Sequence, residues 1–212
     1  MNLRGFPEEK KKRLLELRSK LEVAKGISAE SLASQIRQIG FECKRCGECC
    51  TGEDNSVVVF PFEIRNLQKA TDEPQHEIAE PPSDGEWDES GNFHTLEWRL
   101  KKEKGSCKFY TDEECKCYGS RPLLCRTYPF YLDDGVLCFS ECKGLGLKIG
   151  KKESEEIAAG LIERNVTEIV ESIALLEKYE DFERGRPSAN GVCIIHDSEG
   201  EHRMPLRLQL RK

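Results

Sequence analysis

Four cysteines fall within eight residues in the run Cys43-Lys-Arg-Cys46-Gly-Glu-Cys49-Cys50, and no other feature constrains this chain as tightly. Ten of its 11 cysteines lie between Cys43 and Cys142. Two residues between thiols allow a tight turn to aim both sulfurs at one point. Gly47 suits the positive φ that such turns often demand. Thiolates are soft donors that select zinc, copper(I) or iron–sulfur clusters. Cys49 and Cys50 are adjacent, and neighbouring side chains in extended backbone point to opposite sides. One of them is therefore expected to act with Cys43 and Cys46. The other is expected to face a second site or pack in the core.

Thiols at this density also suit a disulfide framework, and compartment decides between the two. Residues 1–20 contain no apolar run of the kind a secretory signal needs. No stretch approaches the roughly 20 apolar residues of a membrane span. The expected protein is soluble and cytoplasmic, where thiols stay reduced and bind metal. Hydrophobic residues make up 37% and charged residues 34%, so the core is thin and gains from a metal staple. The net charge of −6 argues against nucleic acid, whose phosphates require clustered Lys and Arg. Lys10-Lys11-Lys12-Arg13 is the one basic cluster, and it reads as a solvated helix face among glutamates. Partners are thus expected to be proteins or redox partners, with neither nucleic acid nor membrane.

Three segments follow from pattern. Residues 1–40 read as a helical extension, because Leu14, Leu17, Leu21 and Ala24 form one apolar stripe. A second helix opens at Ser28, a favourable N-cap flanked by Ile27 and Leu32 as a hydrophobic staple. Gly40 stops it and delivers the chain to Cys43. Residues 41–148 read as the cysteine-cluster domain. It holds a short strand at 57–60, a helix opened by Pro61, an acidic loop over 71–92, and strands near 94–101 and 136–139. Residues 149–212 read as a long helix over about 151–183, followed by a hairpin of 192–196 and 204–210. The fold class is α+β: helices around a small, irregular, metal-stapled core with few short strands and a C-terminal hairpin.

The remaining thiols are Cys107, Cys115, Cys117, Cys125, Cys138, Cys142 and Cys193. Cys115 and Cys117 stand too close in sequence for the usual ligand turn. Cys125 lies between Arg121 and Arg126, which suit a supporting place around bound cofactor because a thiolate cluster carries negative charge. The alternative for both arginines is pairing with nearby acids. Tyr128-Pro129-Phe130 reads as core packing, Cys193 as a buried small hydrophobe, and Trp87 and Trp98 as packing residues. Glu48, Glu53 and Asp54 flank the cysteine run and are expected to be solvated. His76, His94, His196 and His202 have no partner at metal-ligand spacing. No phosphate-binding glycine loop or Ser-His-Asp pattern is present.

The x2 spacing resembles the cluster-binding run of bacterial ferredoxins, whose fourth ligand is remote. Zinc sites also use Cys-x2-Cys pairs, with a second pair downstream. Iron–sulfur, most simply a [4Fe–4S] cluster, is the first expectation and zinc the next. Phe41-Glu-Cys43-x-Arg45-Cys46-Gly47-x-Cys49-Cys50 resembles the signature of the CxxCxxCC family, a zinc- or iron-chelating domain. Cys107-x7-Cys115-x2-Tyr118-x2-Arg121-Pro122-x2-Cys125-Arg126-x-Tyr128-Pro129 and Cys142-Lys-Gly144-x-Gly146 are similar to its later blocks. The resemblance spans about 41–147 and implies eight metal thiols: Cys43, Cys46, Cys49, Cys50, Cys107, Cys115, Cys125 and Cys142. Cys117, Cys138 and Cys193 fall outside it. Members carry labels from iron–sulfur oxidoreductase to lysine N-methylase. The resemblance thus implies metal binding, with a redox enzyme, a protein-modifying enzyme and a zinc-stabilised interaction module as successive alternatives. No catalytic residue follows from it.

Overall fold

The computed structural model describes residues 7–52, 55–188 and 190–206. It is a mixed α+β chain, as the pattern predicts. The chain forms two compact units, each assembled from separated stretches. The cysteine unit comprises Leu17–Val57 and Lys102–Val170. The sheet unit comprises Met1–Glu16, Val58–Lys101 and Glu171–Lys212.

Among its described residues the cysteine unit has an apolar cluster, built where helical patterns are strongest. The helix Ala29–Ile39 begins on Ser28, whose hydroxyl accepts from the Ser31 N–H at 3.3 Å. It ends at Gly40, whose φ of 77° is cheap for glycine. Its buried face presents Leu32, Ala33 and Ile36 to Phe130, Ala158 and Leu161. Ala158 and Leu161 lie on the helix Lys151–Lys178, and Phe130 opens the hairpin Phe130–Asp133/Val136–Phe139. Phe41 meets Phe130 edge-on, ring centroids 5.6 Å apart. Beyond this cluster the unit is held by very short ladders: Lys102–Glu103 with Ser106–Cys107, and Tyr110–Thr111 with Glu114–Cys115. Two-residue ladders are too short to be stable alone.

The sheet unit is organised differently. Val192–Asp197 lies between Gly200–Pro205, antiparallel, and Phe93–Leu96, parallel, and Glu86–Trp87 closes the edge. A three-stranded sheet has Trp98–Leu100 at its centre, between Val58–Val59 and Ala79–Glu80. The run expected as one strand near 94–101 is thus two strands in two sheets. Glu97, at φ 61°, makes the break. The helix Pro61–Thr71 starts on its proline, and buried Glu63 reaches back to accept from the Phe60 N–H at 3.0 Å. The 71–92 stretch, expected as a loop, carries a helical turn, Gln75–Ile78, and the strands Ala79–Glu80 and Glu86–Trp87. The long helix stops at Lys178 rather than near 183. The C-terminal hairpin turns more tightly than expected, at 198–199, and the expected strand positions 207–210 lie outside the described residues.

Packing in the sheet unit follows burial. Ile78, Ile194 and Ile195 are fully enclosed, and Trp98 is buried with its indole N–H donating to Asp197 at 2.9 Å. Trp87 packs on Phe93 at 5.1 Å between centroids. Cys193 is buried within its strand, and burial pushes its thiol up to about 11. It is a packing residue.

Candidate metal centre

All ten cysteines from Cys43 to Cys142 fall in the cysteine unit, and all 11 in the chain are free thiols. Three chain segments carry them, and specific contacts hold those segments together. The first is 41–52. Its Phe41 pairs with Leu145, and the Glu42 N–H donates to the Gly144 carbonyl at 2.9 Å. A Cβ on Gly144 would lie 2.3 Å from the Glu42 carbonyl oxygen, so only glycine permits this approach. That clamp fixes Cys142 beside the first run. At the other end of the run, Thr51 pairs with Ser106, and Lys102 Nζ donates to the Gly52 carbonyl at 2.8 Å. These contacts bring Cys107 toward Cys50.

Within the run, Gly47 stands at φ 76° and caps a 3₁₀ turn over Glu48–Cys50. A Cβ there would sit 2.0 Å from the Tyr110 Oη, so side-chain room and backbone conformation both demand glycine. The turn leaves Cys43, Cys46 and Cys49 exposed, while Cys50 is half-buried. Cys49 and Cys50 do not diverge as extended neighbours would: the turn brings their sulfurs to 3.9 Å. Cys115 and Cys117 similarly place their sulfurs 3.7 Å apart. Tetrahedral coordination at Zn–S of about 2.3 Å places neighbouring sulfurs about 3.8 Å apart. Both pairs therefore match one edge of such a site. The Cys115-x-Cys117 spacing, which sequence alone reads as too short, reaches that separation because the strand Glu114–Cys115 ends between the two residues.

Mutual electrostatics group the thiols by proximity. Cys142 feels Cys46, Cys49 and Cys43. Cys50 feels Cys49, Cys107 and Cys115, and Cys125 feels Cys107, Cys49 and Cys115. Cys117 feels Cys115, Cys107 and Cys125. Cys49 lies within reach of both groupings. Burial is the first cause of raised thiol pKa at Cys107, Cys117, Cys125 and Cys142, and it pushes Cys125 up to about 12. Cys50 is raised first by its hydrogen bond with Cys49. The same bond, opposed by burial and aided by the Cys49 backbone and Arg121, lowers Cys49 to about 7.

These thiols crowd one another and resist ionising together. A bound cation reverses that penalty, because it stabilises each thiolate directly. A backbone donor is already directed at sulfur, with the Gly144 N–H 3.4 Å from Cys142 Sγ. The donor set, sulfur with an N–H group turned toward it, fits a soft metal. Among the described residues, no three or more His, Cys, Asp or Glu side chains stand in a geometry that holds a metal ion. The thiols are gathered in pairs rather than converged on one point.

The two flanking arginines part company. Arg121 turns inward: its Nε donates to the Tyr118 carbonyl at 2.9 Å, and its charge helps lower the Cys49 pKa and opposes the burial that raises Cys125. Arg126 is exposed and points to Glu163, 3.7 Å away. Glu48 is exposed and forms an ion pair with Lys143. Glu53 and Asp54 lie outside the described residues. Cys138 is half-buried in its hairpin strand. Phe130 and Pro129 are buried, and the half-buried Tyr128 donates from its hydroxyl to the Glu141 carbonyl at 2.7 Å.

Sequence spacing does not reveal the histidines of the sheet unit. His94 Nδ1 lies 2.8 Å from His196 Nε2, and His94 Nε2 lies 3.1 Å from Asp88 Oδ2. The two rings come from parallel neighbouring strands about 100 residues apart in sequence, so only the sheet joins them. His76 is exposed, and His202 sits 2.8 Å from Asp197 Oδ2.

A unit that gathers ten thiols from three chain segments around tight backbone turns has the donor set of a thiolate metal-binding domain. Residues 42–143, just under half of the chain, match the model of the CxxCxxCC family, described as a "putative zinc- or iron-chelating domain". No curated protein and no solved structure matches the chain. No described helix is long and apolar enough to cross a membrane.

Proposed function

We propose that the cysteine unit is a redox module. It holds an iron–sulfur cluster through Cys43, Cys46 and Cys49, with Cys142 as the remote fourth thiolate. A single zinc or iron ion occupies Cys50, Cys107, Cys115 and Cys125. The observation that carries this reading is the grouping of sulfurs. Cys142 interacts electrostatically with all three thiols of the x2 run, and an x2 run with a remote fourth thiol is the ligand pattern of ferredoxin-type clusters. Cys50 and Cys125 interact with Cys107 and Cys115, and both also with Cys49, which stands between the groupings. When bound, the cluster supplies one-electron chemistry. The chain's part is to supply thiolates, N–H donors and positive charge around it. Exposure of Cys43, Cys46 and Cys49 leaves the first grouping open to an electron-exchanging protein partner.

The test is iron, zinc and acid-labile sulfide per chain after anaerobic purification. Brown protein bleached by a reductant supports the cluster, with iron and sulfide in equal amounts when zinc fills the second grouping and one iron in excess when iron fills it. Loss of the colour in Cys142→Ser supports its ligand set.

A second reading regroups the thiols around zinc, with Cys49 and Cys50 sharing one ion and Cys115 and Cys117 sharing another. The 3.9 Å and 3.7 Å sulfur pairs favour it, because thiolates sharing one ion stand about 3.8 Å apart, whereas cluster thiolates bind different irons. Colourless protein with stoichiometric zinc and no sulfide selects that reading.

A further inference from the structure

Two guanidinium groups converge on one aromatic ring at the edge of the thiol groupings. The Arg121 Cζ lies 3.6 Å from the Tyr118 ring centroid, and the Arg45 Cζ lies 4.5 Å from it. Both are within cation–π range. The residues come from different cysteine blocks. Arg45 stands between Cys43 and Cys46, in the left-handed region at φ 51°. Tyr118 and Arg121 stand between Cys117 and Cys125. Arg121 is further tied by its Nε to the Tyr118 carbonyl at 2.9 Å and by its Nη1 to the Cys125 carbonyl at 3.4 Å.

We infer that Tyr118 is a positioning residue for the metal centre: its ring is the shelf on which Arg45 and Arg121 lock the 43–50 run against the 107–125 block and place two positive charges beside the thiolates. This inference rests on the metal-binding reading above. Four thiolates around a divalent cation leave negative charge in excess, which favours cationic neighbours. A free arginine would keep that charge in water. Stacking two planar guanidiniums on one ring holds it in place with little loss of donor capacity. Arg45 accepts an unfavourable φ in this arrangement, a conformation that a non-glycine residue rarely holds without compensating contacts.

The test is cobalt(II) titration of the full chain, reading thiolate-to-cobalt charge transfer and affinity by chelator competition. Tyr118→Leu is expected to weaken cobalt binding about tenfold, within the range known for groups that orient metal ligands. Tyr118→Phe, which keeps the π face, is expected to stay near wild type. Arg45→Gln is expected to weaken binding less than Tyr118→Leu. The double variant Arg45→Gln/Tyr118→Leu is expected to be no weaker than Tyr118→Leu alone, because Arg45 acts through the ring.

Unchanged affinity in Tyr118→Leu, or additive losses in the double variant, overturns the inference while leaving metal binding intact. Equal losses in Tyr118→Phe and Tyr118→Leu also overturn it. If Tyr118→Leu does not fold, Tyr118→Phe and Arg45→Gln decide: the inference stands when Phe binds as wild type and Gln binds more weakly, and it falls otherwise. Wild-type protein that binds no cobalt overturns the metal reading itself, and this inference with it.

Discussion

The two units of this chain solve the same problem of a thin core by different means. The sheet unit closes a four-stranded sheet around Ile194 and Ile195, both fully buried, and burial of apolar side chains organises it. Among its described residues the cysteine unit has a cluster around Phe130, Ile36 and Leu161, and beside it the short helix Leu123–Thr127, two-residue ladders, tight turns and thiols. Such ladders cannot hold themselves, so the thiol region depends on a cross-link. The comparison teaches where each unit is vulnerable. One should fail through cavities and buried charge, the other through loss of its metal.

Both tryptophans, Trp87 and Trp98, lie in the sheet unit, so their emission reports on that unit alone. The largest contrast is expected on metal removal. Stripping with a strong chelator should abolish hydrogen-exchange protection over 41–52 and 106–125, since structural metal sites contribute on the order of 10 kcal/mol to folding. Tryptophan emission should hardly change. Equal loss in both units would break the comparison.

Phe130→Ala is expected to destabilise the cysteine unit by about 3–5 kcal/mol, because it empties the centre of the apolar cluster that Phe130 forms with Ile36 and Leu161. Denaturant unfolding of metal-loaded protein, followed by circular dichroism, measures the shift. An effect under about 1 kcal/mol would show that metal alone organises this unit.

Acid should act on the sheet unit. Burial first, and then the facing His94, push the His196 imidazole down to about 4 from the ordinary 6.5. The groups around it are His94, Asp88 beyond that ring, Glu201 at 3.8 Å, Asp197 and the Tyr179 ring. The folded state thus keeps His196 neutral, while the unfolded chain protonates it near 6.5. The stability it contributes is intact above 6.5 and is lost as pH falls toward 4. At about 1.4 kcal/mol per pKa unit the loss approaches about 3 kcal/mol. His196→Gln should flatten this dependence in tryptophan-detected unfolding.

The smallest effect is expected from Ser28→Ala, which removes the cap of the Ala29–Ile39 helix and should cost about 1 kcal/mol in the cysteine unit. Tryptophan-detected midpoints should not move.

The parts of this fold legible in the sequence are those with local causes. The Ala29–Ile39 helix announces itself by cap, staple and stop. Pro61 marks a helix start, and 136–139 marks a strand by its apolar run. The family signature likewise makes the clustered thiols visible. What is not legible depends on distant partners. Glu97 switches the chain between two sheets, and nothing in its neighbours signals a positive φ. The strands Ala79–Glu80 and Glu86–Trp87 are too short to show alternation. They exist because Leu100 and Phe93 lie beside them. The His94–His196 pair requires a parallel register between strands about 100 residues apart. The roles of Arg121 and Arg126, alike in sequence as cations flanking Cys125, separate only when Tyr118 and Glu163 are in place.

The central claim is that sulfur alone surrounds the bound metal. X-ray absorption at the iron and zinc edges of anaerobically prepared protein tests it most directly. Four sulfur neighbours at about 2.3 Å are predicted at each edge that carries metal, with an iron–iron vector if the cluster forms. Nearest neighbours that are mainly nitrogen or oxygen, or no metal at either edge, would contradict it.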